Sequence, residues 1–222
     1  MAKVLIFGLG SFAQVAYYYL MNDSLHEVVG FTVNEKYIDE EKKFGLEVYP
    51  FEGIEKKFPP DSYKMLVAMG YNNVNKDREE KYLEAKSKGY DLISYVCSKS
   101  VIWDNVKIGE NCFIFENQTI QPWVEIGNNV IIWSGNHIGH HSTIKDHCFI
   151  TSHVVISGHC LIEPNCYLGV NSTLRDGIKL AKGTVLGAGA IITKDTVENG
   201  VYYGGGANLL KKDGTSKNLR KI

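Results

Sequence analysis

The chain has no apolar run near the roughly 20 residues that a helix needs to cross a bilayer. Stretches such as Lys3-Val4-Leu5-Ile6-Phe7 are far shorter, and no apolar leader segment opens the sequence. A membrane span is therefore not expected, and a cytoplasmic location is. Charge of one sign is not in excess either: 24 Lys and Arg stand against 25 Asp and Glu, for a formal net charge of −1. Such totals suggest neither a polyanion-binding surface nor a self-repelling acidic chain, so nucleic acid is not an expected partner. Paired cysteines are missing too. Cys97, Cys112, Cys148, Cys160 and Cys166 are odd in number and show no CxxC spacing, which argues against a disulfide framework and against a cysteine zinc site. What is present is apolar material: 44% hydrophobic residues in a chain of 222, enough for one large or two small domains with a real core.

A fixed period organises the second half. From Ile102 to Ile192 every sixth residue is Ile or Leu, through Ile108, Ile114, Ile120 and onward without a miss for sixteen positions. Two residues before each lies a second series, mostly small: Val106, Cys112, Gln118, Val124, Val130, Asn136, Ser142, Cys148, Val154, Cys160, Cys166, Ser172, Ile178, Thr184 and Ala190. One large and one small inward position per six residues is the pattern of a β-helix of short strands that meet at corners and stack rung on rung. Three hexads make one triangular coil, which sets residues 18 apart above one another at strand spacing, about 4.8 Å. Four of the five cysteines fall on the small series, where a thiol is a compact hydrophobe. Gln118 and Asn136 are 18 apart and are expected to share an amide hydrogen bond inside the prism.

The residue three after each large aliphatic is also non-random. The series reads Asn105, Asn111, Asn117, Trp123, Asn129, Gly135, His141, His147, His153, His159, Asn165, Asn171, Gly177, Gly183, Gly189, Asp195. Gly, Asn, Asp and His best tolerate positive φ, so this column is expected to mark the corners. The corner reading accounts for His141, His147, His153 and His159 without chemistry, and leaves only His137 and His140 in the repeat outside it. The sixteen hexads carry no insertion, so any cleft must come from a neighbouring subunit or from the rest of the chain.

The first hundred residues follow other rules. Lys3–Phe7 reads as a buried strand, followed by Gly8-Leu9-Gly10-Ser11-Phe12-Ala13 in G-x-G-x-x-A form and by a helix with Phe12, Val15, Ala16, Tyr19 and Leu20 at helical spacing. Val28–Val33, Lys64–Ala68 and Leu92–Val96 read as further strands. Asn75 is expected to cap a charged helix with Asp77/Lys81 and Glu84/Lys88 pairs, closed by Gly89. The sum is a short Rossmann-like α/β unit. Its glycines would let the backbone approach a phosphate at the helix N-terminus, Glu35 could accept a ribose hydroxyl after Asn34, and Ala68-Met69-Gly70-Tyr71 would flank the same crevice. The alternative is a glycine turn kept for packing alone. About 96 residues make half of a dinucleotide fold, so a mononucleotide part of a ligand fits better than NAD.

A domain opening with Lys3-Val4-Leu5-Ile6-Phe7-Gly8-Leu9-Gly10, joined to a hexapeptide β-helix containing Asn136-His137-Ile138-Gly139-His140-His141, resembles the nucleotide-sugar N-acyltransferases of the bacillosamine, perosamine and viosamine pathways of bacterial surface-glycan biosynthesis. The sialic-acid O-acetyltransferases look like the same group. The resemblance covers residues 1 to 205 and implies a Rossmann-like nucleotide-sugar-binding domain over 1–97, a left-handed parallel β-helix acyltransferase domain over 98–205, and a tail over 206–222. It further implies a homotrimer with sites between adjacent prisms, acetyl-CoA as co-substrate along the prism, and no resident metal. By the same resemblance His140 is the base, and Gly158, one coil on, is the oxyanion-side glycine. Gly158, Asn171, Gly187, Ala188 and Gly189 are then the candidate CoA contacts. Gly8, Gly10, Ser11, Phe12, Asn34, Glu35, Ala68, Gly70 and Tyr71 are the candidate contacts to a nucleotide-linked amino sugar. The chain departs from the family at His141, where the bacillosamine branch has glutamate, and at Gly204-Gly205-Gly206-Ala207-Asn208, where Gly-x-Pro-Ala is usual. His141 either orients His140 or completes the site through its own ring. Three other readings remain open: O- rather than N-acetylation, a trimeric zinc hydratase of the carbonic anhydrase kind using the histidines, and a non-catalytic nucleotide-binding scaffold. The basic tail, with Lys211, Lys212, Lys217, Arg220 and Lys221, reads as a solvated end or as a contact to CoA phosphate.

Overall fold

A computed structural model describes residues 1–205. The C-terminal residues Gly206-Ala207-Asn208 and the basic tail from Lys211 lie outside the described residues.

Strand β1 (Lys3–Phe7) is buried from Val4 onward, as an apolar run at the centre of a parallel sheet must be. It leads into helix α1 (Ser11–Asp23), then β2 (Glu27–Val33), a short β3 (Lys42–Lys43), β4 (Leu46–Pro50), β5 (Lys64–Val67) and helix α2 (Lys76–Ser87). The sheet order is β3-β4-β2-β1-β5, parallel except for β3 against β4. Ala13, Ala16 and Leu20 of α1 pack with Val4 and Ile6 on one face. Tyr82 and Ala85 of α2 pack with Leu5, Phe7 and Met65 on the other.

Three local expectations change here. The stretch from Leu92 to Val96 is not one strand: Leu92 makes a single bridge to Met65, while Tyr95–Val96 pairs with Phe113–Ile114 of the prism. Asn75 stands before α2 in the left-handed region with no side-chain cap, because its amide turns into the prism and donates to the carbonyls of Asn165 and Cys166. The expected i,i+4 pairs are replaced by Lys81 with Glu84 at 2.5 Å and Lys88 with Glu55 at 3.1 Å. Lys81 takes an i,i+3 partner in its own helix instead of Asp77, and for Lys88 a tertiary partner outcompetes a surface pair worth only about 0.3–0.5 kcal/mol.

From Tyr95 onward the chain winds a left-handed parallel β-helix of two-residue strands with three flat faces. Face I runs from Val101–Ile102 to Ile191–Ile192 in six strands. Face II runs from Lys107–Ile108 to Lys179–Leu180 in five, and face III from Tyr95–Val96 to Val201–Tyr202 in seven. Register is 18 residues, as in Thr119 on His137 and His137 on Val155, and tightens to 16 only where Val201–Tyr202 closes face III on Val185–Leu186. The large series fills the prism, fully buried from Ile114 to Leu186 and half-buried at Ile102 and Ile108. The cysteines of the small series are buried, and burial pushes the Cys112 thiol up to about 11, which removes thiolate reactivity. Gln118 and Asn136 are satisfied differently from the expectation. Gln118 Nε2 donates to the carbonyls of Phe115, Glu116 and Trp133, Asn136 Nδ2 donates to the Trp133 carbonyl, and the Asn136 backbone N–H donates to Gln118 Oε1. Backbone groups of the tight coil are nearer than the opposing amide.

The corner column has positive φ from Asn111 to Gly189, including Trp123 at 61° and His141 at 58°. Its end members Asn105 and Asp195 do not. There a side chain closes the coil instead, with Asn105 Oδ1 accepting the Trp123 N–H and Asp195 Oδ1 accepting the Lys179 N–H. Stability of such a stack resides in nearest-neighbour rungs. Ile144→Ala, in the middle of the fully buried large series, is expected to cost about 2–5 kcal/mol, measured as a drop in the denaturant midpoint at unchanged slope.

Face III carries the N-terminal domain. Phe12 and Tyr19 meet Phe113 edge-on at 5.6 and 6.1 Å, and Tyr71 meets Phe149 at 5.0 Å. Beside this aromatic seam the Arg78 side chain, 0% exposed, crosses from α2 to the prism. It donates to the carbonyls of Gly70 (2.7 Å), His147 (2.9 Å), Cys148 and Asn129 and to the amide oxygens of Asn75 and Asn129. Desolvation pulls its guanidinium down to about 10, still charged at neutral pH.

Candidate active site

Register and corners place the candidate residues on the prism. Faces I and II meet at an edge bearing Trp123, His141, His159 and Gly177. Faces II and III meet at Asn111, Asn129, His147 and Asn165. Faces III and I meet at Asn117, Gly135, His153, Asn171 and Gly189.

His140 and His141 lie on the first edge, both exposed. The His140 backbone N–H donates to Gln121 Oε1 at 2.9 Å, and its ring Nδ1 is 3.1 Å from His141 Nδ1. Two neutral imidazoles at that distance share one proton, one ring donating and the other accepting. The His141 ring is held in a stack, against Trp123 at 4.7 Å and His159 at 4.9 Å. His140 stands across that stack, nearly perpendicular to both imidazoles. Neither Trp123 nor His159 was singled out by the sequence for chemistry. Their signal was the 18-residue spacing to His141 within the corner column.

Gly158 lies beneath His140 as its register predicts. A Cβ at that position would stand 2.9 to 3.3 Å from three atoms of the His140 ring, so glycine here is what lets the imidazole lie flat on the next coil. Its backbone amide, however, donates to Asp176 Oδ1 at 2.7 Å. An oxyanion can take that N–H only by displacing the aspartate, which corrects the simple picture of a free donor. Gly158→Ala is expected to push the imidazole off the coil and lower turnover about 10- to 100-fold with the thermal midpoint little changed. Unaltered kcat would show that the ring's seat is irrelevant.

The candidate CoA contacts are not brought to this edge. Asn171 and Gly189 are on the edge between faces III and I, with Gly187 and Ala188 just before it, whereas Gly158 is on the histidine edge. One chain therefore separates these groups by a whole face.

The nucleotide candidates do converge. A cleft of about 1050 Å³ is lined by Gly8, Gly10, Ser11, Phe12, Asn34, Ala68, Gly70 and Tyr71, with Glu52, Lys36 and Lys81 among its charged groups. Gly8 has φ 122°, and a Cβ there would lie 2.7 Å from the Ala68 carbonyl, so only glycine lets β1 and β5 close at this point. Gly10 starts α1 with no side-chain cap, which leaves first-turn amides aimed outward, where an anion is favoured. Glu35 is the exception. It is exposed, begins a 3-10 turn and does not line the cleft. Among the described residues three carboxylates line the cleft, Glu52, Asp77 and Glu80. The one beside Asn34 is Glu52, beyond the end of β4, which accepts from Asn34 Nδ2 at 2.8 Å and from the Glu35 N–H at 2.9 Å. The Asn34 amide holds the Glu52 carboxyl below its ordinary range. The sequence missed Glu52 because β4, a five-residue half-exposed strand, carries no strong periodicity.

The cleft sits over face III, and face III is opposite the histidine edge. Cleft, imidazoles and Asn171 corner thus occupy three separate sides of one chain.

Residues 105–139 and 124–158 match the bacterial transferase hexapeptide (six repeats), and residues 161–194 match the hexapeptide repeat of succinyl-transferase. The prism thus matches hexapeptide-repeat models over most of residues 105–194. Over 92% of its length the chain is similar in fold to PerB from Caulobacter crescentus, solved in complex with CoA and GDP-perosamine (19% identity, TM-score 0.80, 95% of that chain). It is similar also to the acetyltransferase domain of PglB from Neisseria gonorrhoeae FA1090 in complex with acetyl coenzyme A (18%, 0.79, 94% and 98%). A third similar fold is WeeI from Acinetobacter baumannii AYE (18%, 0.78, 95% and 100%). At these identities the likeness is one of fold, and together with the repeat it supports the family resemblance read from the sequence. No protein of curated function matches the chain.

Proposed function

We propose that the chain is an acetyl-CoA-dependent N-acetyltransferase acting on the amino group of a nucleotide-linked amino sugar, with His140 as general base. The observation that carries this is the His140–His141 pair, seated on Gly158 at an open edge of a transferase prism. If His140 donates its Nδ1–H to His141 Nδ1, its Nε2 keeps a free lone pair. His141 then does for the tautomer what a carboxylate does elsewhere. The sugar amine attacks the thioester carbonyl, the N–C bond forms, and the amine proton passes to His140 Nε2. Collapse of the tetrahedral intermediate breaks the C–S bond, and the departing sulfur takes that proton from the imidazolium, giving amide and CoA thiol. Proteins of similar fold have been solved with CoA and GDP-perosamine or with acetyl coenzyme A bound, which supports both co-substrates.

A site made this way needs more than one copy. The glycine-turn cleft of one chain faces away from its own His140, so the reading includes a homotrimer in which the histidine edge of one prism meets the cleft side and Asn171 corner of the next. The cytoplasm, where acetyl-CoA and nucleotide sugars occur, is the setting in this reading. The test is incubation with acetyl-CoA and a panel of nucleotide amino sugars, reading free thiol and product mass. The expected product gains one acetyl group in a linkage that survives mild alkali. An alkali-labile product would indicate an O-acetyl ester, and no thiol release from any member would favour a non-catalytic scaffold.

A further inference from the structure

His140, His141 and His159 each offer a ring nitrogen, and these three atoms lie within 4.8 Å of one another on adjacent rungs of one chain. The sequence reading expected no metal, and treated His159 as a corner residue only. We infer that this trio is an exchangeable site for a borderline divalent cation of the zinc type, and that occupancy switches off the base proposed above.

Geometry favours it. In tetrahedral coordination at 2.0–2.1 Å two nitrogen ligands stand roughly 3.3 Å apart, and His140 Nδ1 and His141 Nδ1 are already at 3.1 Å. His159 completes the set by turning its exposed ring, with a fourth position left to water. Its backbone is fixed in the corner conformation at φ 57°, and its N–H is tied to the His140 carbonyl at 2.9 Å, so the two rungs hold the three Cα atoms in a constant frame. Imidazole nitrogen selects Zn²⁺, Ni²⁺ or Cu²⁺ over Mg²⁺ and Ca²⁺. Among the described residues no carboxylate or carbonyl bonds to any of the three rings, and this lack of outer support makes the site exchangeable rather than permanent.

The consequence for catalysis follows from the tautomers. A cation on both Nδ1 atoms forms two coordinate bonds from neutral rings, and the proton they shared relocates through water to Nε2 of His140. The ring stays neutral overall, but its outward nitrogen is now an N–H and cannot accept the amine proton. The binding half stands by itself, and the inhibition half rests on the acetyl-transfer reading.

The experiment titrates the chelator-treated full chain with ZnCl₂ by calorimetry, with MgCl₂ as control, in wild type and His159→Asn. Asparagine holds the same corner conformation at Asn165 and Asn171, so the variant keeps the coil. Expected are about one zinc per chain in wild type, affinity at least about tenfold weaker in His159→Asn, and no magnesium heat. Acetyl transfer by wild type should fall with zinc and return with EDTA, while whatever transfer His159→Asn retains should be unaffected by zinc. Absence of stoichiometric binding, or equal binding by the variant, overturns the site. Stoichiometric binding with undiminished transfer overturns the switch. If neither protein transfers acetyl groups, the transferase reading fails and the titration alone decides the site.

Discussion

Replacing His140 by alanine is expected to lower kcat/KM about 10²- to 10⁴-fold, with oligomer mass and CoA affinity unchanged. The side chain is exposed at a corner and, among the described residues, its only ring hydrogen bond is to His141, so its removal costs the fold little. What is lost is a proton acceptor aligned by a neighbouring ring and seated on a glycine. The loss should appear in kcat rather than in KM, because deprotonation belongs to the bond-forming step and not to binding. Wild-type turnover in this variant would remove His140 from the role and leave the substrate's own groups as the proton acceptor.

The second large effect concerns Arg78. Methionine there keeps much of the stem's volume and removes a guanidinium that donates to six acceptors on both sides of the domain seam. No carboxylate faces it among these partners. Its charge is balanced by carbonyl and amide dipoles, and by Phe149 with its ring centroid 5.6 Å away. Leaving such acceptors buried costs on the order of 1–3 kcal/mol each where no other donor reaches them. The shortest bonds, to Gly70 and His147, make a net loss of about 3 kcal/mol or more reasonable. For a chain of this size that is a fall in Tm of roughly 6–12 °C. Because Gly70 lines the cleft, KM for the nucleotide sugar should rise as well. An unchanged Tm would mean that the buried cation is replaceable by packing.

The prism could be read from the sequence because each rung obeys the same local rule. Large aliphatics, small inward residues and tolerant corners repeat with the coil, so Ile138, Cys148 and His153 each announce their own position. The glycine turn was legible for a similar reason: Gly8 answers to backbone geometry alone. What stayed hidden depends on which distant residues meet. Arg78 looked like one more charge on a charged helix, and only docking on Asn129 and His147 buries it. Glu52 rather than Glu35 lines the cleft beside Asn34 because the chain between β2 and β5 folds back through a weakly patterned strand. Asp176 claims the Gly158 amide through an 18-residue register that the repeat contained but that the oxyanion argument did not consult. The histidines were divided into corner residues and candidates for chemistry, yet His141 and His159 are corners that also face His140.

The central claim is that groups from different copies make one site, and complementation tests it most directly. His140→Ala lacks the base but keeps an intact cleft. Gly10→Asp keeps the base and places a negative charge where a phosphate would sit, without a clash, since a Cβ at Gly10 meets nothing within 4 Å. Each variant alone should be nearly inactive. Unfolding and refolding them together should restore part of the wild-type acetyl transfer, because mixed assemblies contain some sites with both an intact edge and an intact cleft. Mixed assemblies that form but stay as inactive as either parent would contradict the account.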